Sequence, residues 1–431
     1  MKSINSFLGV FQSRKMLALL LLGFASGLPS QVIDVPLKTW LTSVDVDVKN
    51  ITAVAAIASA PYAFKFAWSP LLDRYVPPFL GRRRGWILLT QIVIIIAMVL
   101  LSLQSPTNSN LQLVTIFAAV IGFFSASQDI AADAYRTDVL DAPEKGAGAA
   151  VFILGFRLAM LFASGIILVW TDPKVPNHIS WSTAYLALAG LMLIGLTTTL
   201  WAPHPVDENR TPSSLIDAFV LPFQDFFQRK GVLSGILILL FIVVYKIGDY
   251  MVKSVSPTFL LKAAHYSPTE IGTIQGGIGI LATIVGALVG GSVLSKIGLN
   301  RSLWLSSILL AIGILPYVLL AQAAQGLPAG QNPGQLLLLL AINTEFFFAG
   351  MEATVFVAFL MELCNQQFSA TQYALFSSLM LTGRSFVTAP MGDVANKLGW
   401  PGFFLLSAFS AIPGLLLLNF IAPWKNREMV D

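Results

Sequence analysis

Ten charged side chains interrupt stretches of sequence that are otherwise apolar and long enough to cross a lipid bilayer. They are Lys65, Asp129, Asp133, Arg157, Lys246, Asp249, Lys253, Glu345, Glu352 and Arg384. A charge at the centre of a membrane costs about 2.5–3.5 kcal/mol on insertion scales, so it usually faces a partner or a wet cavity and marks a pathway. Their spread over several stretches predicts a polar route through a membrane protein.

The composition agrees with a membrane protein and argues against several classes of enzyme. The chain is 56% hydrophobic and 11% charged, with a mean hydropathy of +0.76, whereas soluble domains are roughly 25% charged. The single cysteine, Cys364, excludes an intrachain disulfide framework. The sequence contains neither an HExxH zinc motif nor a GxxxxGK[ST] phosphate loop. We therefore expect no catalytic residue, no metal site and no cofactor.

Segments of about 20 mostly apolar residues predict membrane-spanning helices. Twelve such segments are predicted, at residues 16–36, 51–72, 85–104, 111–132, 148–170, 182–202, 232–254, 270–293, 303–322, 336–360, 371–392 and 402–422. The first follows two basic residues and resembles a signal peptide, but its apolar character continues to about Ile33. An uncleaved first helix is therefore the preferred interpretation.

The distribution of lysine and arginine between the loops predicts the orientation, because cytoplasmic loops carry the excess of these residues. If the N-terminus is cytoplasmic, the inner segments hold Lys2, Arg14, Lys15, Arg74, Arg82, Arg83, Arg84, Arg136, Lys145, Arg210, Arg229, Lys230, Lys296, Arg301, Lys425 and Arg427. The outer segments hold only Lys38, Lys49, Lys174, Lys262 and Lys397. Both termini are thus predicted to be cytoplasmic. The net charge of +4 follows from this topology and does not indicate binding to nucleic acid.

A polar stretch between the sixth and seventh spans divides the chain into halves. Residues 203–231 contain phenylalanines at helical spacing and predict a cytoplasmic linker with a short helix on the membrane surface. The bundles on either side are predicted at 1–202 and 232–431. Short similarities between the halves, such as residues 123–128 and 347–352, fit the parallel repeats of major facilitator transporters.

The turn after the second span resembles a signature of the same superfamily. Asp73 and Arg74 directly follow the span, and Arg82 opens a cluster of arginines after a tight turn. Asp73 is expected to meet the positive end of the helix that begins near Ser369, and this contact would latch one conformation. The alternative is that the arginines only enforce topology. Gly27, just before Pro29, is expected to break the first helix near its middle, as in broken helices that line transport sites.

Four longer motifs resemble the AmpG-type muropeptide permeases over nearly the whole chain. They lie at residues 23–29 (GFASGLP), 64–75 (FKFAWSPLLDRY), 125–130 (SASQDI) and 368–372 (FSATQ). The resemblance implies import of N-acetylglucosamine–anhydro-N-acetylmuramic acid and its peptide derivatives across the bacterial inner membrane. It also implies coupling to protons and a role in cell-wall recycling linked to β-lactamase induction.

Three acidic side chains are candidates for proton coupling. Asp129 and Asp133 are four residues apart and share a helix face, and Glu345 is placed near the outer end of the tenth span. A carboxyl group in a low dielectric takes up a proton more readily than one in water, as a proton-coupled carrier requires. The alternative is a structural pair in which one aspartate bonds to Arg157 or Lys65.

The remaining candidates are assigned to binding of the cargo. Arginine binds carboxylates in a bidentate manner, and flat aromatic rings pack against sugars. The candidates are Arg157, Lys246, Asp249, Gln128, Lys65, Arg384, Glu352, Tyr245 and Phe124. Lys246, Asp249 and Lys253 lie on one helix face and could instead be a structural ion-pair cluster. Either inward arginine could equally be a clamp between helices, with Arg384 a candidate partner of Glu345.

These inferences together predict an all-α membrane protein of the major facilitator fold, with twelve spans in two six-helix bundles around a central cavity. The predicted function is proton-coupled import of muropeptides by a monomer that contacts membrane lipids. Two alternatives remain. One is a carrier of another cargo, such as acetyl-coenzyme A or a drug, and the other is a membrane enzyme acting on lipid-linked glycans.

Overall fold

The fold consists of helices joined by short turns. A computed structural model describes residues 13–107, 110–173, 175–205, 214–266, 268–328, 330–388 and 390–424, and these residues form no β-strand. Both chain termini, for which a cytoplasmic location is predicted, and residues 206–213 of the predicted linker lie outside the described residues.

The first half of the chain forms nine helices up to the linker. They are α1 (Arg14–Val32), α2 (Val35–Ser43), α3 (Val48–Phe64), α4 (Ser69–Arg74), α5 (Gly81–Ser102), α6 (Gln112–Val139), α7 (Lys145–Leu161), α8 (Ile167–Thr171) and α9 (Trp181–Trp201). A π-turn, Phe162–Ile166, joins α7 to α8, and a 3₁₀ turn, Lys65–Ala67, separates α3 from α4.

The linker and the second half form ten further helices. They are α10 (Leu215–Lys230), α11 (Val232–Val244), α12 (Ile247–Thr258), α13 (Pro268–Thr273), α14 (Ile280–Ile297), α15 (Leu299–Gln325), α16 (Gln335–Leu363), α17 (Ser369–Thr388), α18 (Met391–Phe409) and α19 (Ala411–Ile421). α10 lies within the predicted linker, residues 203–231.

Ten helical segments within the described residues are long and apolar enough to cross a membrane, and some of them join two consecutive helices. Ten of the twelve predicted spans fall on them, with boundaries shifted by up to 11 residues. The second predicted span, 51–72, falls on α3, the 3₁₀ turn that Lys65 begins and the start of α4, and it holds a shorter apolar helix at Ala53–Ala67. The eleventh predicted span corresponds to α17, whose serine, threonine and glutamine side chains lower its hydropathy.

The contacts between residues group the chain into two compact units. Unit 1 contains the described residues up to Asp225 together with Met361–Ser378, and unit 2 contains Phe226–Leu360 and the described residues from Leu379 onward. In unit 1, α1 packs on α7, and α5 packs on both α6 and α9. In unit 2, α18 packs on α12 and α15, and α11 packs on α19. Each unit encloses its own cluster of buried apolar side chains.

Glycines allow the helices of each unit to approach closely. A Cβ atom on Gly122 of α6 would lie 1.8 Å from the carbonyl oxygen of Ala58 in α3, and one on Gly350 of α16 would lie 2.2 Å from that of Thr283 in α14. No side chain fits at either position. Small residues at such crossings let helix backbones pack in direct contact within a membrane.

The predicted break of the first helix at Gly27 and Pro29 is wrong. α1 continues through both residues to Val32, and the chain is interrupted only at Ile33 and Asp34. Proline has no N–H to donate to the carbonyl four residues earlier, here that of Ala25. The side-chain amide of Gln128 donates to the Ala25 oxygen at 2.9 Å. A neighbouring helix thus supplies the hydrogen bond that Pro29 cannot make, so the helix does not need to open.

Candidate functional site

A buried lysine lies between two carboxylates in unit 1. Lys65, in the 3₁₀ turn after α3, places its Nζ 2.6 Å from Asp129 Oδ2 and 3.8 Å from Asp133 Oδ2. Asp129 also accepts a hydrogen bond of 3.1 Å from the Ser26 hydroxyl of α1. The expectation that the two aspartates share a face of one helix is confirmed. Of the two alternatives for their cation, the structure brings Lys65 to them.

An arginine one turn along α6 connects this cluster to α17. Arg136 Nη2 lies 2.8 Å from Asp133 Oδ1 and donates to the Tyr373 hydroxyl at 2.6 Å. Its guanidinium also stacks over the Phe152 ring, 4.4 Å from the centroid. We name Lys65, Asp129, Asp133 and Arg136 the first charge cluster. It contains two cations and two carboxylates, so its formal charges cancel.

The signature after the second predicted span forms a second network in the same unit. The Arg83 guanidinium lies 2.8 Å from Asp73 Oδ1 and 2.7 Å from Asp138 Oδ2, and it donates to the Ser369 hydroxyl at 2.6 Å. Asp73 Oδ2 accepts hydrogen bonds from the backbone N–H and the hydroxyl of Thr371, at 2.8 and 2.7 Å. The Asp73 carboxylate therefore lies against the first turn of α17, where unpaired N–H groups and the helix dipole favour a negative charge.

Arg83, rather than the predicted Arg74 or Arg82, is the arginine at the centre of this network. Arg82 donates to the backbone oxygens of Asp73, Gln366 and Gln367, each at 3.2 Å. Arg74 lies over the Tyr75 ring. Only Arg83, of these three, forms an ion pair with Asp73. The helical phase of α5 decides which arginine faces the carboxylate, and a run of three arginines does not reveal that phase.

A second charge cluster lies in unit 2, where α11 and α12 meet. Lys246 Nζ lies 3.3 Å from Glu352 Oε2 and 3.9 Å from Asp249 Oδ2. Lys253 Nζ lies 2.5 Å from Asp249 Oδ1 and 3.6 Å from Glu345 Oε1. The prediction that Lys246, Asp249 and Lys253 share a helix face and pair locally is confirmed. We name these five residues the second charge cluster.

The second charge cluster is buried except at one end. Glu345, Glu352 and Asp249 are each exposed by 3% or less, whereas 39% of the Lys253 side chain is exposed. The cluster carries three carboxylates and two ammonium groups, so it is one positive charge short of formal neutrality. A proton on one carboxyl group would balance it.

Arg384 does not fill the role of partner to Glu345 that the sequence suggested. Its guanidinium lies over the Tyr250 ring at 5.7 Å, and the ion pair of Glu345 is with Lys253. The reason is geometric, because Lys253 lies one turn beyond Asp249 on α12, next to α16. Arg384 is exposed on unit 2.

The remaining candidates lie in packed or partly exposed positions. Gln128 is fully buried in its contact with Ala25. The Tyr245 hydroxyl lies 2.9 Å from that of Ser306, and its ring stacks on Phe356. Phe124 is half-buried against the core of unit 1. Arg157 is also half-buried, with Nη1 3.7 Å from the Met160 sulfur.

A group of three charged residues at the start of α1 and in the turn after α6 completes the electrostatic description. Lys15 lies 3.0 Å from Asp141 and 2.8 Å from Glu144, in the turn between α6 and α7. The hydrogen bond from Lys15 lowers the pKa of Asp141 from its ordinary value. Among the described residues, no group of three or more His, Cys, Asp or Glu is placed to hold a metal ion.

The known proteins that this chain resembles are membrane transporters. A sequence model of the Major Facilitator Superfamily matches residues 19–388. The chain is 42% identical to the anhydromuropeptide permease of Escherichia coli K12 over 96% of its own length and 81% of the relative's. It is 31% identical to a putative transporter, AmpG 4, of Rickettsia felis, over 96% and 97% of the two chains.

A solved structure supports the same fold. The proton:xylose symporter XylE bound to 6-bromo-6-deoxy-D-glucose matches with a TM-score of 0.67 at 14% identity, over 97% of this chain and 96% of that one. At this identity the likeness concerns the fold alone. The family match, the identity to curated relatives and the helical architecture agree, and this chain belongs to the Major Facilitator Superfamily of membrane transporters.

Proposed function

We propose that this protein imports anhydro-muropeptides across the bacterial inner membrane by proton-coupled alternating access. The observation that carries the proposal is the 42% identity to an anhydromuropeptide permease along almost the whole chain. Muropeptides combine sugar rings with peptide carboxylates. A carrier for them needs cationic groups and aromatic surfaces on membrane-spanning helices, and both units supply these groups.

Three carboxyl groups are proposed to carry the coupling proton: Glu345, Asp129 and Asp133. Glu345 lies in the second charge cluster, which one proton would bring to formal neutrality, whereas Asp129 and Asp133 lie in the first, where a proton would replace part of an existing ion pair. In the second charge cluster, Glu345 makes the longer of the two ion pairs of Lys253, at 3.6 Å against 2.5 Å for Asp249. Glu345 can therefore lose its charge while the shorter pair persists. We favour Glu345 as the coupling group for this reason.

The contact between Asp73 and α17 is proposed to act as a gate. Buried ion pairs break only when both partners find other partners or water, so they suit a two-state latch. Gly27, Arg74 and Arg82 are proposed to support the same movement. Release of the Asp73 carboxylate from Arg83 and from the first turn of α17 would open the transport route on one side.

A direct test of the cargo separates this proposal from its alternatives. Purified protein in liposomes should exchange labelled N-acetylglucosamine–anhydro-N-acetylmuramyl peptide, and excess unlabelled muropeptide should compete. Acetyl-coenzyme A and a panel of lipophilic drugs should not compete. Competition by either of these, with none by muropeptide, would assign another cargo. Conversion of a lipid-linked glycan by the purified protein would indicate an enzyme.

Arg157 provides a prediction about cargo recognition. If its guanidinium binds the peptide carboxylates of the cargo, Arg157→Gln should reduce transport of peptide-bearing muropeptides by about tenfold to a hundredfold, as expected for loss of a charged hydrogen bond of about 1.5–3 kcal/mol. Transport of the peptide-free disaccharide should change little. Uptake of the two cargoes by the same liposomes measures the difference. Equal losses for both would identify Arg157 as a clamp between helices.

The orientation provides another prediction. We propose that both termini and the linker are cytoplasmic, because basic residues concentrate in the segments on that side. A reporter fused after Asp431 should be active only if it functions in the cytoplasm. Activity of a periplasmic reporter, such as a phosphatase, at the same position would reverse the orientation.

A further inference from the structure

The linker helix α10 has two faces of different character. Ala218, Pro222 and Phe226 are buried against the rest of the protein. Ile216, Phe219, Val220 and Phe223 point away and are exposed by 74%, 43%, 44% and 45%. These four residues recur at i, i+3, i+4 and i+7, which places them on one stripe of the helix. We call this stripe the outward face.

Water is an unfavourable environment for the outward face. Large apolar residues grouped on one surface mark a site that another apolar body covers. α10 has 16 residues and is not among the helices long and apolar enough to span a membrane. Its interaction with a bilayer is therefore at the surface, as for amphipathic helices that lie in the interface.

The position of α10 in the chain makes the bilayer the nearest covering surface. Only Gly231 separates Lys230 from α11, which begins a spanning segment at Val232. The first residues of that segment, Val232 and Leu233, are 66% and 73% exposed. The last turn of α10 contains Arg229 and Lys230, and basic residues at this place suit anionic lipid headgroups.

The opposite face of α10 is bonded to the segment that holds the gate. Asp225 accepts hydrogen bonds from the side-chain amides of Gln372, at 2.9 Å, and Asn365, at 2.8 Å. Gln372 also donates to the Pro222 oxygen at 2.8 Å. Gln372 directly follows Thr371, whose backbone and hydroxyl bind Asp73. The first turn of α17 is thus tied both to Asp73 and to the linker helix.

We propose that the outward face of α10 docks on the lipid bilayer surface and that this docking, transmitted through Asp225, holds the first turn of α17 in place for gating. The helix is a lipid contact on one side and a support for the gate on the other. The docking follows from the apolar stripe whatever the cargo is, so it stands apart from the proposed transport of muropeptides.

Spin labels test the docking without disturbing the fold. Single cysteines at Phe219, Phe223, Gln224 and Gln228 are labelled in a Cys364→Ser background, in vesicles of phosphatidylethanolamine and phosphatidylglycerol. Labels at Phe219 and Phe223 should collide with dissolved oxygen more than with a water-soluble nickel chelate. Labels at Gln224 and Gln228 should show the reverse. If Phe223 is as accessible to the chelate as Gln224, or is shielded from both probes, the docking on lipid is rejected.

A double-mutant comparison tests the connection to the gate. Phe219→Ser combined with Phe223→Ser should lower the rate of muropeptide exchange by about fivefold, and Asp225→Ala should lower it by a similar factor. When both changes are combined, the loss should not exceed the larger single loss, because they act on one linkage. Gln224→Ser, a matched change beside the outward face, should have no effect. Losses that multiply would show that the outward face acts independently of Asp225.

The two experiments fail in distinguishable ways. If the proposed cargo is wrong, neither the parent protein nor any variant will exchange muropeptide. The spin labels will still report the docking. Folding of each variant is checked by its elution as a single species in detergent. A variant that aggregates is replaced by Val220→Ser on the outward face or by Asp225→Asn, and the same comparison is applied.

Discussion

Replacing Glu345 by glutamine should leave exchange of muropeptide across the membrane largely intact but abolish its accumulation in response to a pH gradient. A gradient of about one pH unit provides about 1.4 kcal/mol per proton, which supports about tenfold accumulation. A carrier whose coupling group is permanently neutral gains nothing from this gradient. The ratio of internal to external cargo in proteoliposomes should therefore be about ten for the parent protein and about one for the variant.

The structure makes this substitution a clean test. Glutamine has nearly the shape of glutamate, and the short pair between Lys253 and Asp249 remains. Asp129→Asn is the matched variant in the first charge cluster. There Lys65 keeps an ion pair with Asp133, whose Oδ2 lies 3.8 Å from Lys65 Nζ. We expect loss of accumulation in at least one of the two variants, and in Glu345→Gln first. Normal pH-driven accumulation by both variants would show that neither residue is the coupling group.

Replacing Lys246 by methionine should destabilise the protein strongly. Glu352 is 0% exposed and its ion pair is with Lys246 at 3.3 Å. Removing one partner of a buried pair leaves an uncompensated charge, which costs about 3–5 kcal/mol. The free energy of unfolding, measured by titration with SDS in mixed micelles, should fall by this amount.

The corresponding double variant identifies the cause of that loss. Lys246→Met combined with Glu352→Gln removes both charges, so most of the stability should return, since replacing a whole buried pair is often neutral. Lys38→Met serves as a control, because the side chains of its ion pair with Asp34 are 48% and 53% exposed and an exposed pair contributes little to stability. If the double variant is as unstable as Lys246→Met alone, the pair is not the source of the loss.

Local patterns in the sequence were sufficient to predict the helices and the pairings within one helix. The i, i+3 and i+7 spacing placed Lys246, Asp249 and Lys253 together, and the i, i+4 spacing did the same for Asp129 and Asp133. Apolar length located ten spans directly. The contact of Asp73 with the helix that begins at Ser369 was also predicted, because a helix N-terminus favours a carboxylate.

Pairings between distant helices could not be predicted in the same way. Arg83 rather than Arg82 pairs with the Asp73 carboxylate, and Lys253 rather than Arg384 pairs with Glu345, because helix rotation and the order of packing decide these contacts. The continuity of α1 through Pro29 depends on an amide from α6 that is about 100 residues away. Asp138 and Tyr373, which complete the two networks of unit 1, carried no local signal. The division into bundles at 1–202 and 232–431, the monomeric state and the roles of individual site residues stay predictions.

The most direct test of the central claim is uptake of labelled anhydro-muropeptide by the purified protein in liposomes, with and without an imposed pH gradient. With an interior more alkaline than the medium, the account predicts transient accumulation above the external concentration, and a protonophore should abolish it. Without a gradient, uptake should stop at equal concentrations. Uptake that is the same in both conditions, or absent for this cargo while another substrate is taken up, would contradict proton-driven import of muropeptides.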